Sequence, residues 1–380
     1  MSILFEPIKI GSLEVPNRFV RSATNDGGAD EKGFVTDRQV ELYTRLGQSG
    51  LGLIISGALN VQVRGQIMPF QKVIVGDEYI PGLTKLTAAA HKHGACLAAQ
   101  LYHGGAEAGR LATARGLTAV APSYLGDDPH FPLFKADYAR LSEEEIRDLI
   151  RDFGQAARRA REAGFDAVQV HAAHGYIFSQ FLSPYTNRRE DQWGGTLDNR
   201  LRFHREVFKE MRRQAGEDYP LMIKLGVEDS FSGGLEFEEG RQAAKILAEL
   251  GFDALEISSG ARGSGWEQTE FRMGINKVTQ EAYYRRWSRE IKPEVLKPVV
   301  LVGGLRSFDL MEEIVSAGEA DFVSLSRPLI REPHLINDWK QGDRRRAACI
   351  SCNKCIELLL AGQMIECVQL KKKASDNQGR

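Results

Sequence analysis

The cysteines of this chain are concentrated in one short stretch. Four of the five lie in CISCNKCIELLLAGQMIEC, residues 349–367. They are Cys349, Cys352, Cys355 and Cys367, separated by two, two and eleven residues. In a reducing compartment, clustered cysteines indicate a metal or redox site rather than disulfides. Their spacing leaves two interpretations open, a four-cysteine zinc site and an iron–sulfur cluster.

A second set of chemically capable residues stands at the ends of short apolar runs that predict strands. The set comprises Gln100, His171, His174, Tyr176, Lys224, Gly303, Gly304, Ser326 and Arg327. Imidazoles, a phenol, an amide and a lysine suit a flat, electron-accepting ligand, and glycines with an arginine suit its phosphate. A zinc hydrolase is the alternative for the histidines. However, His171 and His174 are three residues apart on a strand or turn, where they do not share a face, and no third ligand is evident.

The elements that position these residues alternate between strand and helix. Strand patterns cover 18–23, 51–57, 95–101, 163–175, 220–226, 250–263, 298–304 and 317–328. Helical patterns cover 36–48, 78–93, 142–164, 199–215, 236–250 and 308–317. Eight alternations without a Gly/Ser linker predict an α/β fold, a (β/α)8 TIM barrel with insertions at 103–140 and 258–297. A doubly wound open sheet is the alternative, but no G-x-G-x-x-G follows the first strand.

The barrel is predicted to span residues 1–340, and residues 341–380 form a C-terminal appendage that carries the cysteines and a polar tail. The charge is balanced, with 50 basic and 51 acidic residues, which gives no electrostatic reason to expect nucleic acid or an anionic membrane as a partner. No signal peptide and no membrane-spanning stretch are evident. We therefore expect a soluble, cytoplasmic protein.

Four sequence stretches resemble Old Yellow Enzyme-type flavin oxidoreductases, and the resemblance extends to about residue 335. They are PNRFVRSAT (16–24), AQLYHGG (99–105), HAAHGYIFSQFLSPYTNRREDQWGGTLDNR (171–200) and LSRPLIREP (325–333). In that family FMN lies across the barrel mouth. The resemblance assigns Gln100 to the flavin pyrimidine edge and Lys224 to the region of N1 and O2. The complete set that it assigns to FMN is Ala23, Thr24, Gln100, Lys224, Gly303, Gly304, Ser326 and Arg327.

The same resemblance assigns substrate roles to three residues of the turn HAAHGY. His171 and His174 would bind a carbonyl oxygen of the substrate, and Tyr176 would supply a proton. The resemblance therefore implies an ene-reductase, which transfers hydride from FMN to the C=C bond of an enone-like small molecule. The alternatives are an FMN/iron–sulfur dehydrogenase acting on an amine or a cyclic alcohol or ketone, and an electron-transfer subunit of a larger complex.

The cysteine stretch resembles the iron–sulfur subgroup of the family, which contains 2,4-dienoyl-CoA reductase and trimethylamine dehydrogenase. The resemblance implies a [4Fe–4S] cluster held by Cys349, Cys352, Cys355 and Cys367. Trimethylamine dehydrogenase attaches its flavin to a cysteine at a position that Asn25 occupies here, so FMN is expected to be non-covalent. NADH, NADPH or a separate electron-donor protein could supply the electrons. The sequence is also compatible with a homo-oligomer.

Overall fold

Eight parallel strands close into a barrel in the computed structural model, which describes residues 2–132, 135–263 and 268–370. The last strand pairs with the first, and the second pairs with the third, so the ring has no open edge. In chain order the strands are β1 (Phe19–Arg21), β2 (Leu53–Ile55), β3 (Cys96–Tyr102), β4 (Ala167–Ala172), β5 (Leu221–Gly226), β6 (Ala254–Ser258), β7 (Val299–Val302) and β8 (Phe322–Leu325). The predicted barrel and its eight strands are confirmed.

A helix follows each strand and packs its apolar face on the outside of the barrel. The helices are α1 (Asp37–Gly47), α2 (Ile80–His91), α3 (Glu143–Glu162), α4 (Arg202–Ala215), α5 (Phe237–Leu250), α6 (Arg285–Ile291), α7 (Phe308–Ser316) and α8 (Leu335–Lys340). At the start of α3, Ser142 Oγ accepts a hydrogen bond from the Glu145 N–H at 3.1 Å, and the Glu145 carboxylate accepts one from the Ser142 N–H at 2.9 Å. This reciprocal cap confirms where the sequence pattern predicted that the helix begins.

Shorter elements decorate the barrel. An antiparallel hairpin, Ile8–Ile10 with Leu13–Val15, precedes β1, and Ile10 and Val15 pack with apolar residues of the barrel interior. The insertion after β3 contains the parallel pair Ala119–Ala121 and Tyr138–Arg140. Further short elements include the strand Leu59–Asn60 and the α-helices Gly109–Ala114, Ile177–Leu182, Leu197–Arg200, Arg327–Arg331 and Lys354–Leu360, and several single turns of 3₁₀-helix.

The cysteine-bearing segment after α8 lies against loops that follow barrel strands. The Ala347 N–H donates to the Arg306 carbonyl at 3.0 Å, beyond β7, and the Ile365 N–H donates to the Asp26 carbonyl at 2.9 Å, beyond β1. Carboxyl ends of barrel strands form the active-site face of such folds. The segment therefore stands beside the barrel mouth, whereas the division at residue 340 stays a prediction. Within the described ranges, no helix is long and apolar enough to cross a membrane.

Candidate active site

Strand register aligns several of the predicted residues. Lys224 of β5 pairs with His171 of β4 on one side and with Glu256 of β6 on the other. Gln100 of β3 pairs with Gln169 of β4. All five side chains are buried. The barrel therefore brings together the amide, the lysine and the imidazole that the sequence singled out, and it adds a carboxylate and a second amide.

Glu256 accepts the hydrogen bonds at the centre of this group. Its carboxylate is fully buried and lies 3.2 Å from Lys224 Nζ. Ser22 Oγ donates to the same carboxylate at 2.6 Å, and Lys224 donates to Ser22 Oγ at 3.0 Å. A buried ammonium without a counter-charge costs several kcal/mol. The carboxylate of Glu256 thus stabilises the buried ammonium of Lys224 at the barrel mouth.

Two amides extend the network from Glu256 in a defined polarity. A carboxylate only accepts, so Gln169 must donate through Nε2, at 2.9 Å from Glu256 Oε2. The Oε1 atom of Gln169 then faces Gln100 and accepts from its Nε2 at 2.7 Å. This order directs the carbonyl oxygen of the Gln100 amide toward any further partner. A ligand N–H group at this position can donate to that oxygen.

His171 near the end of β4 and His174 in the tight turn that follows are both held as neutral imidazoles. His174 has a φ of 63° and Gly175 a φ of 74°, and the His174 N–H donates to the Ser259 carbonyl at 3.0 Å. The two rings meet edge to face with centroids 4.9 Å apart. Burial is the main cause that holds the pKa of both imidazoles well below 6.5, and the charge of Lys224 adds to it. Each ring therefore carries one proton.

Hydrogen-bond partners determine which nitrogen carries that proton. His171 Nδ1 accepts from the Ala173 N–H at 3.4 Å, so the proton of His171 is on Nε2. His174 Nδ1 lies 3.6 Å from Glu270 Oε1, and its Nε2 is 2.8 Å from Ser258 Oγ. A carboxylate accepts only, which favours the proton on Nδ1 of His174. His171 is therefore the better placed of the two to donate to a ligand.

Tyr176 packs between aromatic rings and a buried cation. Its ring meets Tyr102 and His171 edge to face, with centroid distances of 4.7 and 4.9 Å. Arg262 Nη2 donates to the phenolic oxygen at 2.6 Å. Burial raises the pKa of Tyr176, and the charge of Arg262 opposes that rise. The phenol is therefore protonated at neutral pH and has its proton available for a partner.

The predicted phosphate residues lie on neighbouring loops after β7, β8 and β1. Gly303 and Gly304 have φ values of 130° and 72°, and a Cβ on either would lie 3.1 or 2.8 Å from the Tyr283 ring. Thr24 Oγ1 and Ser326 Oγ share a 2.9 Å hydrogen bond, which joins the β1 and β8 loops. Ala23, just before Thr24, is half-buried. Glycine is therefore required at positions 303 and 304, because a side chain there would meet the Tyr283 ring.

Arg327 connects this region to the cysteine segment. Its Nη1 donates to the Arg272 carbonyl at 2.8 Å and to Asn353 Oδ1 at 2.6 Å. Asn353 lies between two of the cysteines and has a φ of 57°, a left-handed conformation that turns the chain. The guanidinium therefore contacts the cysteine segment directly, which its predicted phosphate role did not suggest.

All four clustered cysteines line one small cavity, together with Arg327 and Arg331. The structure describes them as free thiols. Burial raises the pKa of Cys349, and it raises that of Cys355 to about 11. No three metal-ligating side chains converge on a single-ion site in the ranges that the structure describes. The four thiols thus face one shared space but do not converge on a single point.

Sequence reasoning missed several residues of the site. They are Ser22, Gln169, Arg262, Glu270 and, most centrally, Glu256. A carboxylate inside the apolar run ALEIS was a usable signal for Glu256, because an unpaired charge is rarely buried in a strand. Arg262 and Glu270 lie in the long insertion after β6, where no periodic pattern fixes the position of a side chain.

The family model of the NADH:flavin oxidoreductase / NADH oxidase family matches residues 3–345. The chain belongs to this family. It is therefore a flavin oxidoreductase of the Old Yellow Enzyme type, and the family uses FMN with NADH or NADPH as electron donor. The match ends before the first clustered cysteine, so membership carries no information on that segment.

Individual relatives agree with this assignment. The chain is 36% identical to an NADH oxidase of Thermoanaerobacter brockii over 362 residues, which cover 92% of this chain and 52% of the relative. It superposes on a 2-naphthoyl-CoA reductase with a TM-score of 0.87 and 28% identity, over 96% of this chain and 56% of the other. For histamine dehydrogenase from Rhizobium sp. 4-9 the TM-score is 0.84 and the identity 30%, over 97% and 52%. The chain spans about half the length of the first curated relatives.

Proposed function

We propose that this protein reduces the C=C bond of an α,β-unsaturated carbonyl compound, with non-covalent FMN as its cofactor. The observation that carries the proposal is that two different proton donors, an imidazole and a phenol, lie side by side at the barrel mouth. His171 offers a neutral N–H, and Tyr176 offers a hydroxyl proton, with ring centroids 4.9 Å apart. An enone needs both, a hydrogen-bond donor at its oxygen and an acid at its α-carbon.

The residues at the mouth fit FMN. Gln100 presents a carbonyl oxygen, which suits a ring N–H, and Lys224 provides a cation for negative charge on the ring. Gly303, Gly304, Ser326 and Arg327 would hold the phosphate, while Ala23 and Thr24 would line the ring. Asn25 Nδ2 is buried without a hydrogen-bond partner among the described residues. Asn25 also has no nucleophilic sulfur, so the flavin would be held without a covalent bond.

When bound, FMN would supply the hydride for the β-carbon. His171 would donate from Nε2 to the carbonyl oxygen, where charge grows during hydride transfer, with His174 beside it. Tyr176 would then give its proton to the α-carbon. One preorganised donor is typically worth about 10²–10³ in rate, and a general acid about 10²–10⁴. Burial of the site excludes water, which strengthens both interactions.

The half-reaction with an enone tests this proposal. The FMN-loaded protein, reduced by light in the absence of oxygen, should be reoxidised by 2-cyclohexenone and yield cyclohexanone. Cyclohexanone itself should leave the flavin reduced, because it has no C=C bond to accept the hydride. If neither this enone nor acyclic enones and cinnamate-type acceptors reoxidise the flavin, the proposal is wrong.

We further propose that Cys349, Cys352, Cys355 and Cys367 hold a [4Fe–4S] cluster, which makes residues 341–380 a cluster-bearing appendage of the 1–340 barrel. All four cysteines line one shared cavity, which supports a common site, and in a cluster each thiolate binds its own iron. A single zinc ion held by the same four cysteines is the alternative. The cluster would transfer single electrons. Residues 371–380 of the predicted tail lie outside the described residues.

The contact between Arg327 and Asn353 supports electron exchange between the flavin and the cluster, because it joins the two sites without an intervening residue. The electron source would then be NADH, NADPH or a separate electron-donor protein. A dehydrogenase acting on an amine is the second candidate function. The similarity to a structure of histamine dehydrogenase favours it, whereas His171 beside Tyr176 favours enone reduction.

A further inference from the structure

Arg262 is a buried cation whose guanidinium contacts the hydroxyl of Tyr176. The side chain is buried, and Nη2 lies 2.6 Å from the phenolic oxygen. The guanidinium carbon is also 5.1 Å from the centroid of the Tyr176 ring. Arginine has donors only, so the phenolic oxygen must be the acceptor of this hydrogen bond. Arg262 therefore leaves the hydroxyl proton of Tyr176 free to be donated elsewhere.

The loop that carries Arg262 is fixed by buried hydrogen bonds. Asp229 Oδ1 accepts from the Ala261 N–H at 2.5 Å, and the Ser230 N–H donates to the Ala261 carbonyl at 3.0 Å. The His174 N–H donates to the Ser259 carbonyl at 3.0 Å, which joins this loop to the turn that carries Tyr176. The relative position of guanidinium and phenol is thus set by the backbone of two connected loops.

Glu270 is the counter-charge of Arg262. Its Oε1 lies 2.6 Å from Nη2, and its Oε2 accepts from Nε at 2.9 Å. Both side chains are 7% exposed, so the pair is shielded from water. The negative charge of Glu270 acts on Tyr176 in the opposite direction to that of Arg262. The charge of Arg262 therefore lowers the pKa of Tyr176, and the charge of Glu270 raises it.

We propose that Arg262 is a positioning residue for proton donation by Tyr176, and that Glu270 limits its effect. This inference rests on the proposed function. When the O–H bond of Tyr176 breaks, the proton forms the new C–H bond at the α-carbon, and the electron pair stays on the phenolate oxygen. Arg262 would stabilise that phenolate through its existing hydrogen bond. Water then returns the proton to the phenolate after the product has left.

The surroundings of the phenol define what else acts on its titration. Tyr102 of β3, His171 of β4 and the His174 turn face the ring, and Glu107 acts on it from the segment after β3. Both histidines are neutral, and Tyr102 is itself protonated because burial raises its pKa. Arg262 is therefore the cation that faces the phenolic oxygen, opposed by Glu270 and Glu107.

The test measures the pKa of Tyr176 directly, with ¹³Cζ-labelled tyrosine in the full-length, FMN-bound protein. Tyr176→Phe identifies the resonance by its loss. Arg262→Met should raise the pKa of Tyr176, and Glu270→Gln should lower it. Arg262→Met should also slow reoxidation of the flavin by 2-cyclohexenone about 10- to 100-fold, as expected for loss of a hydrogen bond to a charged donor. In Glu270→Gln, the rate of flavin reoxidation should begin its decline at alkaline pH at a lower pH value than in the unchanged protein.

The double variant Arg262→Met/Tyr176→Phe separates positioning from a general structural role. It should be no slower than Tyr176→Phe alone. Additive slowing, or a pKa that does not move in opposite directions in the two single variants, would overturn the inference. If Arg262→Met loses FMN, Arg262→Gln and Glu270→Gln still decide the sign of the pKa change. If Tyr176→Phe itself does not slow reoxidation, the proposed function is wrong, whereas the contact between Arg262 and Tyr176 is not called into question.

Discussion

At the scale of single residues, we expect Tyr176 to act when the substrate reoxidises the flavin, and not when the flavin is reduced. Tyr176→Phe should slow reoxidation of reduced flavin by 2-cyclohexenone about 10²–10⁴-fold, because a general acid is lost. Reduction of the flavin by NADH or NADPH should be unchanged, since that step needs no proton from the tyrosine. Stopped-flow absorbance at the flavin band measures both half-reactions. Equal slowing of both, or of neither, would contradict the assignment.

The two histidines should contribute unequally. His171→Ala removes the imidazole whose Nε2–H faces away from the backbone, and should slow reoxidation by enone about 10²–10³-fold. His174→Ala should cost less, because its ring is already engaged by Ser258 and Glu270. Neither effect should depend on pH between about 6 and 8, since both imidazoles are neutral there. A larger loss for His174→Ala would show that the tautomers are assigned wrongly.

At the scale of elements, α4 carries a buried histidine that makes stability depend on pH. Both ring nitrogens of His204 lack a hydrogen-bond partner within the described ranges, and the ring packs 5.1 Å from Phe178. Burial lowers the pKa of His204 to about 3, whereas in the unfolded chain it is about 6.5. Below pH 6.5 the unfolded chain binds the extra proton. The free energy of unfolding therefore falls as the pH falls toward 3.

His204→Leu should remove this dependence. Between pH 6 and 4 the free energy of unfolding of the variant should fall less steeply, by up to about 1.4 kcal/mol per pH unit. Urea unfolding at several pH values measures the slope. His93→Leu is the matched control, because His93 is exposed and its surroundings change little on unfolding. Equal slopes for His204→Leu and the unchanged protein would contradict the prediction.

Elements of the barrel were predictable because each has a strong local signal. The run VVLV of β7 and the capped helix α3 are specified by their own residues, through hydrophobic pattern and capping. Helix α6 was not predicted, because Arg285–Ile291 is only 7 residues long and lies inside a long insertion. A single turn or two of helix leaves too few apolar positions to establish a period.

Site residues were predictable to a lesser degree. Gln100 and Lys224 could be placed at the mouth because each ends or interrupts a predicted strand. The partners Glu256 and Arg262 could not be assigned to them, because strand register and loop path are tertiary properties that no local pattern contains. The contact of Arg327 with Asn353 is of the same kind, since it joins two distant parts of the chain. The roles of these residues stay predictions until they are tested.

At the scale of the whole molecule, the cysteine segment should be separable from FMN binding. Cys352→Ser should lose most of its iron and sulfide when purified without oxygen, yet keep FMN that acid releases into the supernatant. Reduction by a hydride donor such as NADH or NADPH should still support enone turnover, while activity with a one-electron protein donor should be lost. Ser351→Ala is a control that alters the same loop without removing a thiolate. Full activity of Cys352→Ser with every donor would contradict an electron-transfer role.

The central claim is that hydride and proton reach the two carbons of a C=C bond from different sources. The flavin is reduced with stereospecifically deuterated NADH or NADPH and then mixed anaerobically with 2-cyclohexenone. The product is analysed by mass spectrometry and NMR. The account predicts cyclohexanone with one deuterium at the β-carbon and a solvent-derived hydrogen at the α-carbon. A product that carries no deuterium, carries it at the α-carbon, or does not form at all would contradict it.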